Sequence, residues 1–129
     1  MNDFNYIVKN VGSESLEKFR GKTILITGSN GFLGRWFSDV FRYINKNVLD
    51  DSCVIICADN NIVRGDKRDK SIVLNICEEI EIDSLGVDNI DYIINCAGIA
   101  SPKIYKNYPV ETLDVSYLGT KNILDLGRK

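Results

Sequence analysis

Residues 27–36 read TGSNGFLGRW, with glycines at 28, 31 and 34. Three glycines at intervals of three, set between an apolar run and an apolar-periodic run, describe a main chain that something approaches closely. A strand, a tight turn and a helix in that order gather unpaired backbone N–H groups and the positive end of a helix dipole at one point, which suits a phosphate. In that reading Gly28 permits the turn, Gly31 lets a pyrophosphate reach the backbone, and Gly34 lets helix and strand pack closely. The spacing is Gly-x-x-Gly-x-x-Gly, not Gly-x-Gly-x-x-Gly, and a purely structural turn would account for it as well.

Asp59 is the second candidate, ending an apolar run 25 residues after Gly34. An acid there accepts hydrogen bonds from both ribose hydroxyls of an adenosine and repels a 2'-phosphate, which favours NAD over NADP. Arg64, Lys67 and Arg68 follow closely enough to weaken that preference. A strand-ending turn residue ahead of Asn60 and Asn61 is the alternative for Asp59.

These residues need a scaffold. Thr23–Thr27, Cys53–Ala58, Ile72–Leu74 and Tyr92–Ala97 are short apolar runs, rich in β-branched residues and closed by Gly28, Asp59, Asn75 and Gly98, which reads as four buried strands. Leu33, Trp36, Phe37, Val40, Phe41 and Ile44 recur at three and four residues and predict the buried stripe of a helix. A helix is expected near Cys77–Leu85, and a last one through Val110, Leu113, Tyr117, Leu118 and Leu124 with Pro109 in its first turn. Arg64 to Lys70 reads as an exposed loop. Residues 1–20 read as a leader of one or two short helices, with Ser13 or Ser15 as caps. Strands apolar on both faces with helices between them imply an α/β, Rossmann-type doubly wound parallel sheet, incomplete, with about four strands in the order 3-2-1-4.

Composition narrows the function. A net charge of -2 and a pI near 5.1 give no basic surface for nucleic acid or anionic lipid. No apolar run approaches the roughly 20 residues that span a bilayer, and the start MNDFNYIVKN lacks the apolar core of a secretion signal, so a cytoplasmic chain with no membrane partner is expected. Cys53, Cys57, Cys77 and Cys96 form no Cys-x-x-Cys and read as reduced, buried thiols. The chain has no histidine, which argues against a Ser-His-Asp hydrolase or a zinc site within it.

Four strings together, TGSNGFLG, the acid Asp59, DYIINCAGIASP (91–102) and YPVETLDVSYLGTKNIL (108–124), resemble the NAD-dependent epimerase/dehydratase family. These are the extended short-chain dehydrogenase/reductases that act on nucleotide sugars. The UDP-glucuronate decarboxylase and dTDP-glucose 4,6-dehydratase-like members of bacterial polysaccharide pathways are the most similar in flavour. The resemblance covers about residues 21–129. It implies Gly28, Asn30, Gly31, Phe32, Leu33 and Gly34 as pyrophosphate loop, Asp59 and Asn60 as ribose contact, and Asn75 and Ile76 beside the adenine. It also implies Cys96, Ala97 and Gly98 beneath NAD, and Ser101 and Pro102 facing sugar and nicotinamide. Asn95 stands where many relatives have His, and Ser116 where they have Asn.

Catalysis in that family rests on a Tyr-x-x-x-Lys pair. Tyr117 and Lys121 have the spacing, but Gly119-Thr120 sets a register one helix too early, and ordinary neighbours on a helix share that spacing. The resemblance therefore implies a cofactor-binding N-terminal portion without the catalytic pair and the substrate domain, and so inactive alone. The outer edge of strand 91–97 would lack a neighbour, so self-association as a homo-oligomer through that edge is expected. A non-catalytic nucleotide-binding module on the same half-fold is the alternative.

Overall fold

The computed structural model describes residues 3–61 and 69–129. In chain order these residues form α1 (Asp3–Val11), α2 (Ser13–Glu17), β1 (Thr23–Thr27), α3 (Phe32–Asn47), β2 (Val54–Asp59) and β3 (Lys70–Val73). A 3-10 turn (Ile82–Leu85), β4 (Tyr92–Asn95), α4 (Pro102–Asn107) and α5 (Pro109–Asp114) follow, then a π-helical turn (Val115–Gly119) and α6 (Thr120–Leu126). The strands make one sheet in the order β3-β2-β1-β4, all parallel, with Leu25 opposite Ile56 on one side and Ile93 on the other. That is the doubly wound arrangement the apolar runs predict.

Side chains alternate across a strand, so the sheet feeds two cores. Ile24, Ile26, Ile55 and Cys57 face Phe41 and Ile44 of α3 together with Leu16 of α2. Leu25, Ile56 and Ala58 face Ile76, Ile80, Leu85, and Ile123 and Leu126 of α6. The N-terminal residues are part of this packing. Leu16 is buried in the first core, Val8 and Phe19 lie against it, and Phe4 meets Trp36 edge-on at 5.6 Å while stacking on Tyr43 at 5.5 Å.

Several local expectations are corrected. The buried stripe of α3 is Gly34, Ser38, Phe41 and Ile44, whereas Leu33, Trp36 and Phe37 are exposed. The helix approaches the sheet through its two small residues, and the Ser38 hydroxyl donates back to the Gly34 carbonyl at 2.8 Å, which satisfies a buried polar group at that close contact. Neither Ser13 nor Ser15 caps a helix; α2 begins after Gly12, with no capping side chain. Between Cys77 and Leu85 only Ile82–Leu85 is helical, as a 3-10 turn. The expected last helix is present and continuous through α5, the π turn and α6, with α4 before it; the π turn is what the periodicity did not show.

The loop expected from Arg64 to Lys70 ends earlier, since Lys70 opens β3. The Asp69 carboxylate is covered, paired with Arg42. Arg64, Lys67 and Arg68 lie outside the described residues. All four thiols are free. Cys53 and Cys57 are buried, but Cys77 and Cys96 are only half-buried, contrary to expectation. Burial pushes the Cys53 thiol up to about 11. Among the described residues no helix is long and apolar enough to cross a membrane.

Candidate functional site

The site is built where β1, β2 and β4 end. Gly28 leaves β1 with φ 63°, a left-handed conformation that side chains rarely adopt. A Cβ there would lie 2.5 Å from the Cys96 carbonyl oxygen and 2.6 Å from the Ala97 nitrogen. The ends of β1 and β4 thus close on each other with only a hydrogen between. A Cβ on Gly34 would run into the Gly28 carbonyl and come within 2.7 Å of Ser29 Cα, so this glycine sets the approach of α3 to the loop. Gly31 is looser, its Cβ position 3.1 Å from the same carbonyl.

Two hydrogen bonds tie the loop to β2. Ser29 N–H donates to the Ala58 carbonyl at 3.1 Å, and Asn30 N–H donates to Asp59 Oδ2 at 2.9 Å. The acid is therefore turned toward the loop. The carboxylate keeps further acceptor capacity, because ionised Asp offers about four lone-pair sites and the contact of Oδ1 with Asn61 N–H is long, 3.4 Å. Among the described residues no side chain caps α3 at its N-cap, Gly31, so its first turn presents main-chain donors and the positive helix end.

Between these elements lies a crevice of about 330 Å³, within the range of about 300–1,000 Å³ of small-molecule sites. Gly28, Asn30, Gly31, Asp59 and Asn60 form one flank; Asn75 and Ile76 form a second and Cys96, Ala97 and Gly98 a third. Gly98 leaves open space where a Cβ would be. Burial pushes the Cys96 thiol up, which keeps it protonated at neutral pH. Phe32, Leu33 and Gly34 are not on the crevice wall. Gly34 is buried on the sheet-facing side of α3, and Phe32 and Leu33 are 77% and 58% exposed. Leu74, Ile99 and Val115 also line the crevice. Sequence reasoning missed them because a Leu or Val after a strand or in a helix reads as core.

The pair at helical spacing is not arranged as a unit. Lys121 donates to Asp125 at 2.6 Å, which pushes its ammonium pKa up, and Tyr117 is 70% exposed. Ser116 Oγ donates to the Thr112 carbonyl at 2.8 Å, and Asn95 Oδ1 accepts from Thr27 Oγ1 at 2.5 Å.

A parallel sheet in this order, with a glycine loop, a helix start and an acid meeting at the carboxyl ends of its strands, defines a Rossmann-type dinucleotide fold. The profile of the NAD dependent epimerase/dehydratase family matches residues 24–129. The chain belongs to this family, and NAD is the cofactor that goes with the membership.

UDP-glucuronic acid decarboxylase 6 of Arabidopsis thaliana is 30% identical over 115 residues, covering 82% of this chain and 30% of the relative. D-erythronate dehydrogenase of Haemophilus influenzae is 27% identical over 106 residues, 82% of this chain and 33% of the relative. Among solved structures, epimerase Mth375 of Methanothermobacter thermautotrophicus superposes with TM-score 0.69 at 16% identity, covering 88% of this chain and 34% of that one. Uronate dehydrogenase of Agrobacterium tumefaciens gives 0.59 at 21%, covering 83% and 36%. The structures support the fold. The chain spans about a third of the length of the relatives it matches.

The residues present fit the cofactor. Glycines 28, 31 and 98 leave main chain bare along the crevice, and the Asp59 carboxylate is turned toward the glycine loop beside them. Ser29 Oγ, buried within the same loop, has no partner among the described residues.

Proposed function

We propose that this chain is the NAD-binding N-terminal portion of a nucleotide-sugar epimerase, dehydratase or decarboxylase. The pyrophosphate would lie against Gly28, Asn30 and Gly31, with the N–H groups of Phe32, Leu33 and Gly34 contributing through the start of α3. Asp59, with Asn60, would hold the adenosine ribose. The base would lie along Asn75 and Ile76, and Cys96, Ala97 and Gly98 would pass beneath the nicotinamide side. Bound NAD supplies a hydride acceptor and donor. The residues of this chain bind and orient it.

The observation that carries this reading is the Asp59 carboxylate, held 2.9 Å from the Asn30 amide at the mouth of the glycine loop in a crevice of about 330 Å³. Isothermal titration with NAD and with ADP-ribose tests it. Comparable affinities for the two are expected, because the contacts lie on the shared half. Absence of heat with both at millimolar concentration contradicts the reading.

The alternative is a non-catalytic nucleotide-binding module, and the pairing of Lys121 with Asp125 fits both readings, since neither assigns Tyr117 and Lys121 to catalysis. Both readings predict no turnover of a nucleotide sugar by this chain alone, and measurable turnover would refute that. A cytoplasmic setting fits the four free thiols.

The outer edge of β4, an edge strand in the described sheet, adjoins a groove lined by Ile93, Ile123 and Leu124. We infer self-association there, because an unpaired strand edge beside apolar surface invites another strand. Sedimentation that stays monomeric at high concentration contradicts it.

A further inference from the structure

A second hollow, of about 430 Å³, shares Asn30 with the dinucleotide crevice and lies between α1 and the first turns of α3. Its walls are Phe4, Asn30, Phe32, Arg35, Trp36 and Asp39, and the cofactor gives it no role. Phe4 precedes residue 24, where the family match begins, so one wall comes from outside the matched region.

That wall is fixed. The Phe4 ring meets Trp36 edge-on at 5.6 Å and stacks on Tyr43 at 5.5 Å. The Tyr43 hydroxyl donates to Asn5 Oδ1 of α1, and Val8 packs against the first core. On α3, Phe32 and Trp36 stand four residues apart on one helix face, 77% and 37% exposed. Three aromatic rings thus bound one concave surface while two of them stay open to solvent, an arrangement that suits a planar ring.

Arg35 supplies the charge. Asp39, four residues on, has the spacing of its intrahelical partner, but Arg42 Nη1 donates to Asp39 Oδ1 at 2.5 Å. Arg20 is likewise taken, by Glu17 at 2.6 Å, whereas Arg35 makes no ion pair among the described residues. With Asp39 neutralised by Arg42, the Arg35 guanidinium is the uncompensated charge on the wall. Its planar fork matches the two oxygens of a carboxylate. Apolar walls with a few polar groups that fix orientation are the usual build of a small-molecule site.

We propose that this hollow is a second binding site, for a small planar aromatic carboxylate, whose ring lies against Phe4, Phe32 and Trp36 while its carboxylate meets Arg35. It is independent of the proposed NAD site.

The chain has one tryptophan, so a single indole Nε1–H signal in the spectrum of the 15N-labelled chain reports on the hollow. Titration with 2-naphthoate should move that signal saturably, with a Kd in the millimolar range. The Asn30 and Arg35 amides should move with it, and Ile76 and Gly98 of the crevice should stay almost still. 2-Naphthalenemethanol, the same ring without the charge, and acetate, the charge without the ring, should each bind at least about fivefold more weakly.

In Arg35→Gln, 2-naphthoate should fall to the level of the alcohol while the alcohol is unchanged. Arg35 is exposed, so this substitution leaves the core intact. Phe4→Ala should weaken acid and alcohol alike. A crease that merely collects apolar rings would bind the two equally. Equal affinity for acid and alcohol, an unchanged Kd in Arg35→Gln, or shifts at Ile76 and Gly98 with a still indole signal would overturn the inference. So would the absence of any shift at millimolar 2-naphthoate, and none of these results bears on the binding of ADP-ribose.

Discussion

The β1–β2 side of the molecule and the β4–α5 side are built by different rules. On the first, all of β1 is buried, and α3 lies so close that Gly34 and Ser38 are its contact residues. On the second, α4 and α5 bury no residue, Val110 and Leu113 are mostly exposed, and Gly98 faces open space. The closely packed side holds the loop and acid proposed for the adenosine-pyrophosphate half of NAD. The open side holds the wall proposed for the other half. Binding through one half of a cofactor needs only the first side to be complete.

The largest effect expected from this contrast is between two glycines of one crevice. Gly28→Ala meets both a positive φ and the Cys96 carbonyl and should cost about 3 kcal/mol or more, read as a lower urea midpoint. Gly98→Ala meets nothing within 4 Å and should change stability by less than about 0.5 kcal/mol. Equal losses in the two variants would erase the distinction between the sides.

A core pair gives a comparable reading. Ile56→Ala removes a side chain with 0% exposure and should cost about 2–5 kcal/mol, whereas Leu113→Ala, 64% exposed, should lie within about 0.5 kcal/mol of the unaltered chain.

Asp59→Asn sharpens the comparison from function. Removing the charged acceptor should weaken binding of ADP-ribose by about 1.5–3 kcal/mol, roughly ten- to a hundredfold, with a far smaller change in thermal midpoint than Gly28→Ala produces. The loss should be similar for NAD, since the acid is proposed to touch only the shared ribose.

The smallest effect is in pH. The Thr23 amide, then Lys22, hold the Asp91 carboxyl below the usual carboxylate range, and the Asp91 carboxylate raises Lys22. An acid lowered by folding contributes stability above its unfolded pKa of about 3.9 and loses it as pH falls through the folded value. Asp91→Asn should therefore flatten only the acid limb of the midpoint against pH. A change confined to neutral pH would show that the bond from Lys22 at 2.9 Å has no such role.

Sequence carried the sheet because runs such as TILIT and VIICAD are apolar on both faces, and right-handed crossovers leave few orders to choose from. The contact stripe of α3 was half hidden: Phe41 and Ile44 were legible, but where the helix touches the sheet through Gly34 and Ser38 there is no apolar signal. The same periodicity drew attention to Trp36, which Phe4 of α1 and solvent share, and to Phe37, which is exposed. The π-helical turn at Val115–Gly119 was hidden too. The Thr112 and Ser116 hydroxyls bond back to carbonyls four residues earlier, a pattern that bends helices, and Gly119 has to admit Ile76. The hydroxyl bonds are local, but the fit of Gly119 against Ile76 is tertiary and has no signal in the local sequence. In the crevice, glycines and Asp59 were legible because their types are unusual at those places, while Leu74, Ile99 and Val115 look like any core residue.

The most direct measurement is a titration of the 15N-labelled chain with ADP-ribose, following backbone amide shifts. The account predicts that the largest shifts fall at Gly28, Asn30, Gly31, Asp59, Asn60 and Ile76, with residues of α4 and α5 almost unmoved. Shifts concentrated on the β4–α5 side, or none at millimolar ligand, would contradict it.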